Sequence, residues 1–153
     1  MRYEGSITIN APMEKVYTNM TDPNVVSQCA PGLKSMEIIQ PDKLFKVVAG
    51  VGFGAVSVTF DVNVEWLENR PPDFASVKAH GSGQGSAVDV ISEMRLVANP
   101  DSTTTLNWTA EISVVGAIAG LASRMMGGII KKLSGAFFDC IKEKIEESER
   151  MQA

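Results

Sequence analysis

The sequence predicts an α+β fold in which a long C-terminal helix lies across a curved antiparallel sheet of about seven strands. Apolar and polar residues alternate for about eighty residues after Gly32, and turn residues interrupt the alternation at short intervals. Strands with one apolar face and short connections pair in an antiparallel sheet. The last segment changes to a period of 3.6, which is typical of an amphipathic helix. That helix must bury its apolar stripe, and the inner face of the sheet is the only surface large enough to receive it.

The composition is that of one globular domain, and we expect residues 1–153 to form a single unit. The net charge of -4 disfavours nucleic-acid binding, which requires a basic surface. The N-terminus has no apolar segment of the secretory type, and the most apolar stretch, 114–130, contains Arg124. That stretch is shorter than the ~20 residues that a helix needs to cross a bilayer. We therefore expect a cytoplasmic protein.

The first elements are a strand and two short helices. Residues 2–10 alternate between an apolar and a polar face, which predicts a strand. Asn10 is a candidate N-cap for a helix with Pro12 in its first turn, ending near Met20. Asp22 followed by Pro23 repeats the signal and predicts a second short helix.

The middle of the chain predicts six more strands separated by turn residues. The alternating runs are 32–40, 44–51, 56–66, 74–80, 87–97 and 106–114. Glycines at alternate positions of 81–85 resemble a phosphate-binding loop, but no helix follows them to offer its N-terminal amides to an anion. A hairpin turn is therefore the preferred interpretation.

The C-terminal helix is predicted to be around thirty residues long and to leave a cavity above the sheet. Small residues such as Gly120, Gly127 and Gly128 thin its first half, whereas Phe137 and Ile141 fill its second half. We therefore expect the cavity against the first half, beside the loop at 51–54 and the turn at 81–85. Methionines there adapt to the shape of a guest, although ordinary core packing is the alternative for each residue. The candidate lining residues are Phe60, Val62, Val77, Val90, Trp108, Ala110, Ala122, Met125, Met126 and Ile129.

The sequence offers little for catalysis or metal binding. His80 is the only histidine, so neither a histidine-based metal cluster nor a second catalytic histidine can form, and its strand position predicts a solvated side chain. An enzyme would require a polar group inside the cavity, for which Tyr3, Tyr17, Ser92 and Glu37 are the candidates.

The two cysteines are predicted to be free, buried thiols. Cys29 and Cys140 are far apart in sequence, and neither lies in a pattern with metal-ligand spacing. A disulfide between them is the alternative, but cytoplasmic thiols are normally kept reduced.

A candidate partner surface lies on the polar side of the helix. Phe138 falls outside the apolar arc and aligns with Arg124 and Lys131 at seven-residue spacing. An exposed aromatic ring beside cations suits an anionic partner or lipid headgroups. The alternative is a single exposed ring among solvated charges, which is common on protein surfaces.

Several short motifs, taken in order, resemble those of a known family. They are Ala11-Pro12, Val16-Tyr17, Met20-Thr21-Asp22-Pro23, Ala30-Pro31-Gly32, Val51-Gly52, Pro71-Pro72, Gly81-Ser82-Gly83-Gln84-Gly85 and Val115-Gly116-Ala117-Ile118-Ala119. The chain resembles the family of the carbon monoxide dehydrogenase CoxG subunit, within the START-like (SRPBCC) superfamily of helix-grip folds. The resemblance spans nearly the whole chain.

That resemblance implies a non-catalytic accessory role and a hydrophobic ligand held between sheet and helix. The implied partner is a molybdenum hydroxylase of the carbon monoxide dehydrogenase type, and the implied ligand is a lipophilic electron carrier such as a quinone. Other proteins of the fold act as cyclases, hydrolases or isomerases on hydrophobic substrates, which is the alternative function. Longer family members carry a C-terminal extension linked to membrane anchoring. Because this sequence ends at Ala153, we expect membrane contact that is at most peripheral, at the inner membrane face.

Overall fold

The computed structural model describes residues 1–152, with side chains described through residue 151. It contains a seven-stranded sheet, two short helices after the first strand and one long C-terminal helix. The elements are β1 (Arg2–Ile9), α1 (Met13–Met20), α2 (Pro23–Cys29), β2 (Leu33–Gln40), β3 (Leu44–Phe53), β4 (Val56–Arg70), β5 (Phe74–Gly83), β6 (Ser86–Ala98), β7 (Thr104–Gly116) and α3 (Ala119–Gln152). The predicted helix-grip architecture is confirmed.

The sheet is an antiparallel meander whose first strand returns to the far edge. The strand order is β1-β7-β6-β5-β4-β3-β2, so β1 and β2 are the edge strands. The predicted hairpin at 81–85 turns at Gln84 and Gly85, which have φ angles of 51° and 77°. Gly83 lies in β5, where an added Cβ would come within 2.1 Å of the Thr59 carbonyl oxygen. Glycine is needed there because β4 and β5 approach closely.

The two short helices begin differently from one another. Asp22 caps α2 as predicted, since its side chain accepts a hydrogen bond from the backbone N–H of Asn24 at 2.9 Å. The predicted cap at Asn10 is wrong, because α1 begins after Pro12 without a side-chain cap. Instead, the backbone N–H of Asn10 donates to Oε2 of Glu146 at 2.9 Å, which connects the end of β1 to α3.

The buried face of α3 drifts around the helix axis. Ala122 and Met126 are buried in its first half, and Ile141 and Ile145 are buried in its second half. Each pair is four residues apart, and a step of four turns about 40° further than one helical turn. The drift brings Phe138 towards the core, so the prediction of an exposed Phe138 is wrong.

The glycines of α3 face solvent and do not create the space beneath the helix. An added Cβ at Gly120, Gly127 or Gly128 would meet no atom within 4 Å, and all three residues are exposed. The prediction that they leave the cavity is therefore wrong. The cavities border α3 at larger side chains, including Met126 and Phe137.

Two apolar clusters hold the helix against the sheet. The first cluster lies under the second half of α3 and contains Ile9, Val16, Leu106 and Ile141. The second lies under the first half and includes Phe53, Phe60 and Ile112 along with Met126. Cavities remain near both clusters.

A disulfide joins α2 to α3. Cys29 and Cys140 are bonded, with Cα atoms 5.5 Å apart and a separation of 111 positions in sequence. The prediction of free thiols is wrong, because packing of α2 on α3 brings the two positions together. The bond fixes α2 beside the second half of α3.

Candidate ligand-binding site

The largest cavity has a volume of about 450 Å³. It lies between the inner face of the sheet, α2 and the second half of α3. Its lining comes mostly from the apolar inward positions of six strands and one side of α2. These residues are Met20, Pro23, Val26, Ser27, Ala30, Pro31, Leu33, Met36, Phe45, Val47, Ala49, Val62, Val64, Trp66, Ala75, Val77, Ser92, Glu93, Met94, Leu106, Trp108, Phe137 and Phe138. Its volume lies within the range usual for small-molecule sites, ~300–1,000 Å³.

Few polar groups border this cavity, and the two serines already have partners. The hydroxyl of Ser92 donates to the Thr109 carbonyl at 2.8 Å, and that of Ser27 donates to the Asn24 carbonyl at 3.3 Å. Glu93 is an exposed residue. Trp66 differs from the serines, since its indole Nε1 is buried and has no hydrogen-bond partner.

A second inner cavity of about 200 Å³ lies under the first half of α3. It is lined by Phe60, Val90, Met126 and Ile129 among others, and it shares Val62 with the larger cavity. This smaller cavity occupies the place, beside Val51, Phe53 and Gly81, where the sequence predicted the binding site.

A surface groove of about 370 Å³ runs between β1 and α3. Trp108 and Phe138 line both the groove and the larger cavity, and their rings stack with centroids 5.8 Å apart. Gly5 makes room for this wall, because a Cβ there would lie 2.6 Å from the indole Nε1 of Trp108. The stacked pair therefore separates the inner cavity from the groove.

The structure divides the predicted lining residues among three locations. Val62, Val77 and Trp108 line the larger cavity. Phe60, Val62, Val90, Met126 and Ile129 line the smaller one. The remaining three are in the core around the first half of α3, lining neither inner cavity: Ala110, Ala122 and Met125.

Sequence reasoning missed the contribution of α2 and of the β2–β3 edge. Val26 and Ala30 form one wall, and Phe45 and Val47 form another. The alternation in 44–51 was a signal for the inward β3 residues, but nothing local indicated that α2 closes the space opposite them. Trp66 was missed as well, although it ends an alternating run that placed it on the inner face.

The predicted partner residues do not form one surface. Arg124 and Lys131 are exposed on α3, and Lys131 borders the groove. Phe138 is partly buried against Trp108 and makes an edge contact with Phe137. Only the two cations remain on the outer face.

The candidate catalytic side chains are mostly remote from the larger cavity. Glu37 is exposed on β2, and Tyr3 borders the groove. The hydroxyl of Tyr17 donates to the Asn69 side chain and lies 3.1 Å from the Phe74 carbonyl oxygen. Burial, with a smaller contribution from Asp73, raises the pKa of Tyr17. Ser92 alone of the four borders the cavity, and its hydroxyl proton is engaged.

Other titratable groups form surface pairs. His80 is exposed, as predicted, and its Nδ1 lies 2.7 Å from a carboxylate oxygen of Asp89. Within residues 1–152 no three His, Cys, Asp or Glu side chains are grouped as metal ligands would be. No helix in the same range combines the length and the apolar character needed to cross a bilayer.

Several solved structures share this architecture. A conserved protein from Geobacillus kaustophilus is 30% identical, with a TM-score of 0.88 and 97% of each chain covered. The aromatase/cyclase Zhui from a Streptomyces species is 16% identical, with a TM-score of 0.73 and coverage of 95% of this chain and 93% of the other. Truncated norcoclaurine synthase from Thalictrum flavum is 12% identical, with a TM-score of 0.67 and coverage of 95% and 92%. The last two show the fold alone.

The family comparison agrees with the fold. No curated protein matches the sequence significantly. The family described as the G-type subunit of carbon monoxide dehydrogenase (CoxG) matches residues 5–146, which is most of the chain. With this match, the Geobacillus relative and the helix laid across an antiparallel sheet, the chain belongs to the carbon monoxide dehydrogenase CoxG family.

Proposed function

We propose that this chain is a non-catalytic binding protein that holds a lipophilic small molecule in the larger cavity. The observation that carries the proposal is a space of about 450 Å³ whose walls are almost entirely apolar side chains. A well-packed interior leaves few voids larger than a water molecule. A space of this size is therefore more consistent with a guest than with a packing defect.

The binding energy would come mainly from burial of apolar surface. A guest that removes about 300 Å² of apolar area from water gains roughly 7.5 kcal/mol at ~25 cal/mol per Å². That corresponds to a dissociation constant of the order of micromolar before ordering costs are subtracted. Few polar contacts are required, in agreement with the composition of the walls.

We further propose a lipophilic electron carrier such as a quinone as the ligand, and a molybdenum-containing carbon monoxide dehydrogenase as the partner enzyme. Membership of the CoxG family supports this accessory or recruitment role. The exposed cations Arg124 and Lys131 on α3 are the proposed contact with an anionic surface of that partner. Co-elution of the purified chain with the dehydrogenase tests the partnership, and no complex at micromolar concentration contradicts it.

The alternative is an enzyme that acts on a hydrophobic substrate inside the cavity. The resemblance in fold to an aromatase/cyclase and to norcoclaurine synthase favours it. General acid–base catalysis would require a titratable side chain within reach of the guest. Among the described residues that border the cavity, the titratable one is Glu93 on the outward, exposed side of β6. The binding role is therefore preferred.

Native mass spectrometry of the protein after incubation with a lipid extract tests the binding role. The expected result is a co-purifying small molecule that is reduced at least tenfold in a Val77→Phe variant, because the larger ring occupies part of the cavity. Val97→Phe is the matched control, since Val97 is 51% exposed. A folded wild-type protein that retains no small molecule and takes up no hydrophobic probe would contradict the proposal.

A further inference from the structure

The indole N–H of Trp66 is a buried donor for which the protein supplies no acceptor. Trp66 borders the larger cavity, and its Nε1 is shielded from solvent without a hydrogen-bond partner. Buried Trp N–H groups usually find a partner, because leaving one unpaired costs the full desolvation of the group. An unpaired donor in the wall of a cavity thus calls for an explanation.

The position of Trp66 is fixed by its backbone. It lies near the end of the inward-facing run of β4 and pairs with Val77 of β5. Its backbone N–H donates to the Lys43 carbonyl at 2.9 Å. The register of β4 against β5 shifts immediately afterwards, between Trp66 and Glu68. The indole is therefore held at the edge of the cavity by backbone contacts on both sides.

The other side-chain donors bordering the cavity are already engaged or directed elsewhere. The protons of Ser27 and Ser92 are directed to backbone carbonyls within the protein. The second tryptophan, Trp108, has its Nε1 next to Gly5 of β1, on the side of the groove. Trp66 is consequently the donor that is left for a guest.

We infer that the ligand is an uncharged lipophile with an acceptor oxygen, a carbonyl or an ether, that accepts a hydrogen bond from Trp66 Nε1–H. This inference rests on the proposed function and specifies the chemistry of its ligand. An anion is disfavoured because no Lys, Arg or His borders the cavity among the described residues, and an unpaired charge in apolar surroundings is costly. A pure hydrocarbon fills the space but leaves the donor unpaired.

The test compares fluorenone with fluorene, which have nearly the same shape and differ by one carbonyl group. Dissociation constants of both probes are measured by calorimetry with the wild-type protein, Trp66→Phe and Trp108→Phe. The readout is the ratio of the fluorene constant to the fluorenone constant. Because water solvates each probe equally in every experiment, the change of this ratio between variants isolates the contact with the protein.

The expected result is a ratio about fivefold lower in Trp66→Phe than in wild type, as for one neutral hydrogen bond, and unchanged in Trp108→Phe. If both probes bind and the ratio is the same in Trp66→Phe, the inference is wrong and the apolar binding role stands. If neither probe binds to the folded wild-type protein, the binding role itself fails and the inference fails with it. Retained binding of fluorene by Trp66→Phe shows that the variant is folded, and if that binding is lost, Trp66 serves packing and the inference is wrong.

Discussion

At the scale of single residues, the wall between cavity and groove depends on one missing methyl group. Gly5 of β1 pairs with Trp108 of β7, and the indole occupies the volume that a Cβ at Gly5 would fill. The ring can then stack on Phe138. A side chain at position 5 must displace the indole, because no free space lies between the edge strand and the ring.

We expect Gly5→Ala to lower the free energy of unfolding by about 1–3 kcal/mol, the usual cost of overpacking. Urea unfolding measures the change, and near-UV circular dichroism reports the altered surroundings of Trp108. The matched control is Gly120→Ala, where the added methyl group meets nothing and removes backbone entropy from the unfolded chain. That control should gain about 0.5–1 kcal/mol. Equal stability of Gly5→Ala and wild type, with an unchanged spectrum, would contradict the expectation.

At the scale of elements, α3 is attached most firmly near its C-terminal end. Glu146 accepts the backbone N–H of Asn10 and pairs with Lys142 at 3.2 Å. Lys142 also donates to the Thr8 carbonyl at 2.9 Å, and Lys15 of α1 pairs with Glu149 at 2.8 Å. These contacts replace the helix cap that the sequence predicted at Asn10, and they connect β1 and α1 to the helix.

The contribution of Glu146 should depend on pH. Burial opposes ionisation, but the hydrogen bond from Asn10 and the nearby ammonium of Lys142 outweigh it, so the pKa of Glu146 is lowered. A lowered pKa in the folded state means that the stabilisation is present above the unfolded value, ~4.3, and is lost as the pH falls through the folded value. We expect Glu146→Gln to be less stable than wild type at pH 7 and to approach it below about pH 4.

Urea unfolding at a series of pH values measures this difference. Glu147→Gln is the control, since Glu147 is an exposed neighbour on the same helix. The difference between Glu147→Gln and wild type should stay small across the same range. A gap between Glu146→Gln and wild type that is as large at pH 3 as at pH 7 would show that the carboxylate charge is not what anchors the helix.

At the scale of the whole molecule, the cavity and the groove share one aromatic wall. Phe138 borders both spaces, whereas the neighbouring Phe137 borders only the inner cavity. Rotation of Phe138 would connect the two without breaking the sheet or unwinding α3. The wall is thus a route between the bound ligand and the surface.

We expect Phe138→Ala to raise the dissociation rate of a hydrophobic fluorophore about tenfold, with a smaller change in affinity, because association is accelerated as well. Phe137→Ala is the matched control and should weaken affinity by loss of contact area without a comparable gain in the association rate. Stopped-flow displacement measures both rates. Identical association rates in Phe138→Ala and Phe137→Ala would exclude the wall as a route.

The fold could be predicted because its signals are local. The alternation through 56–66 and 106–114 and the cap at Asp22 depend only on neighbouring residues, and the structure confirms them. The site was harder, since it depends on which distant elements meet. Val77 and Trp108 were placed correctly on the inner face, but no sequence pattern shows that α2 covers them. A wheel of fixed period also could not reveal the drift that turns Phe138 inward.

The bond between Cys29 and Cys140 has a consequence for the dimensions of the cavity. It fastens α2, which supplies one wall, to α3, which supplies another. A reductant would cut this one attachment while every strand pairing stayed in place. Electron supply, and not heat or denaturant, would then be the gentlest means of widening the space in which a guest is held.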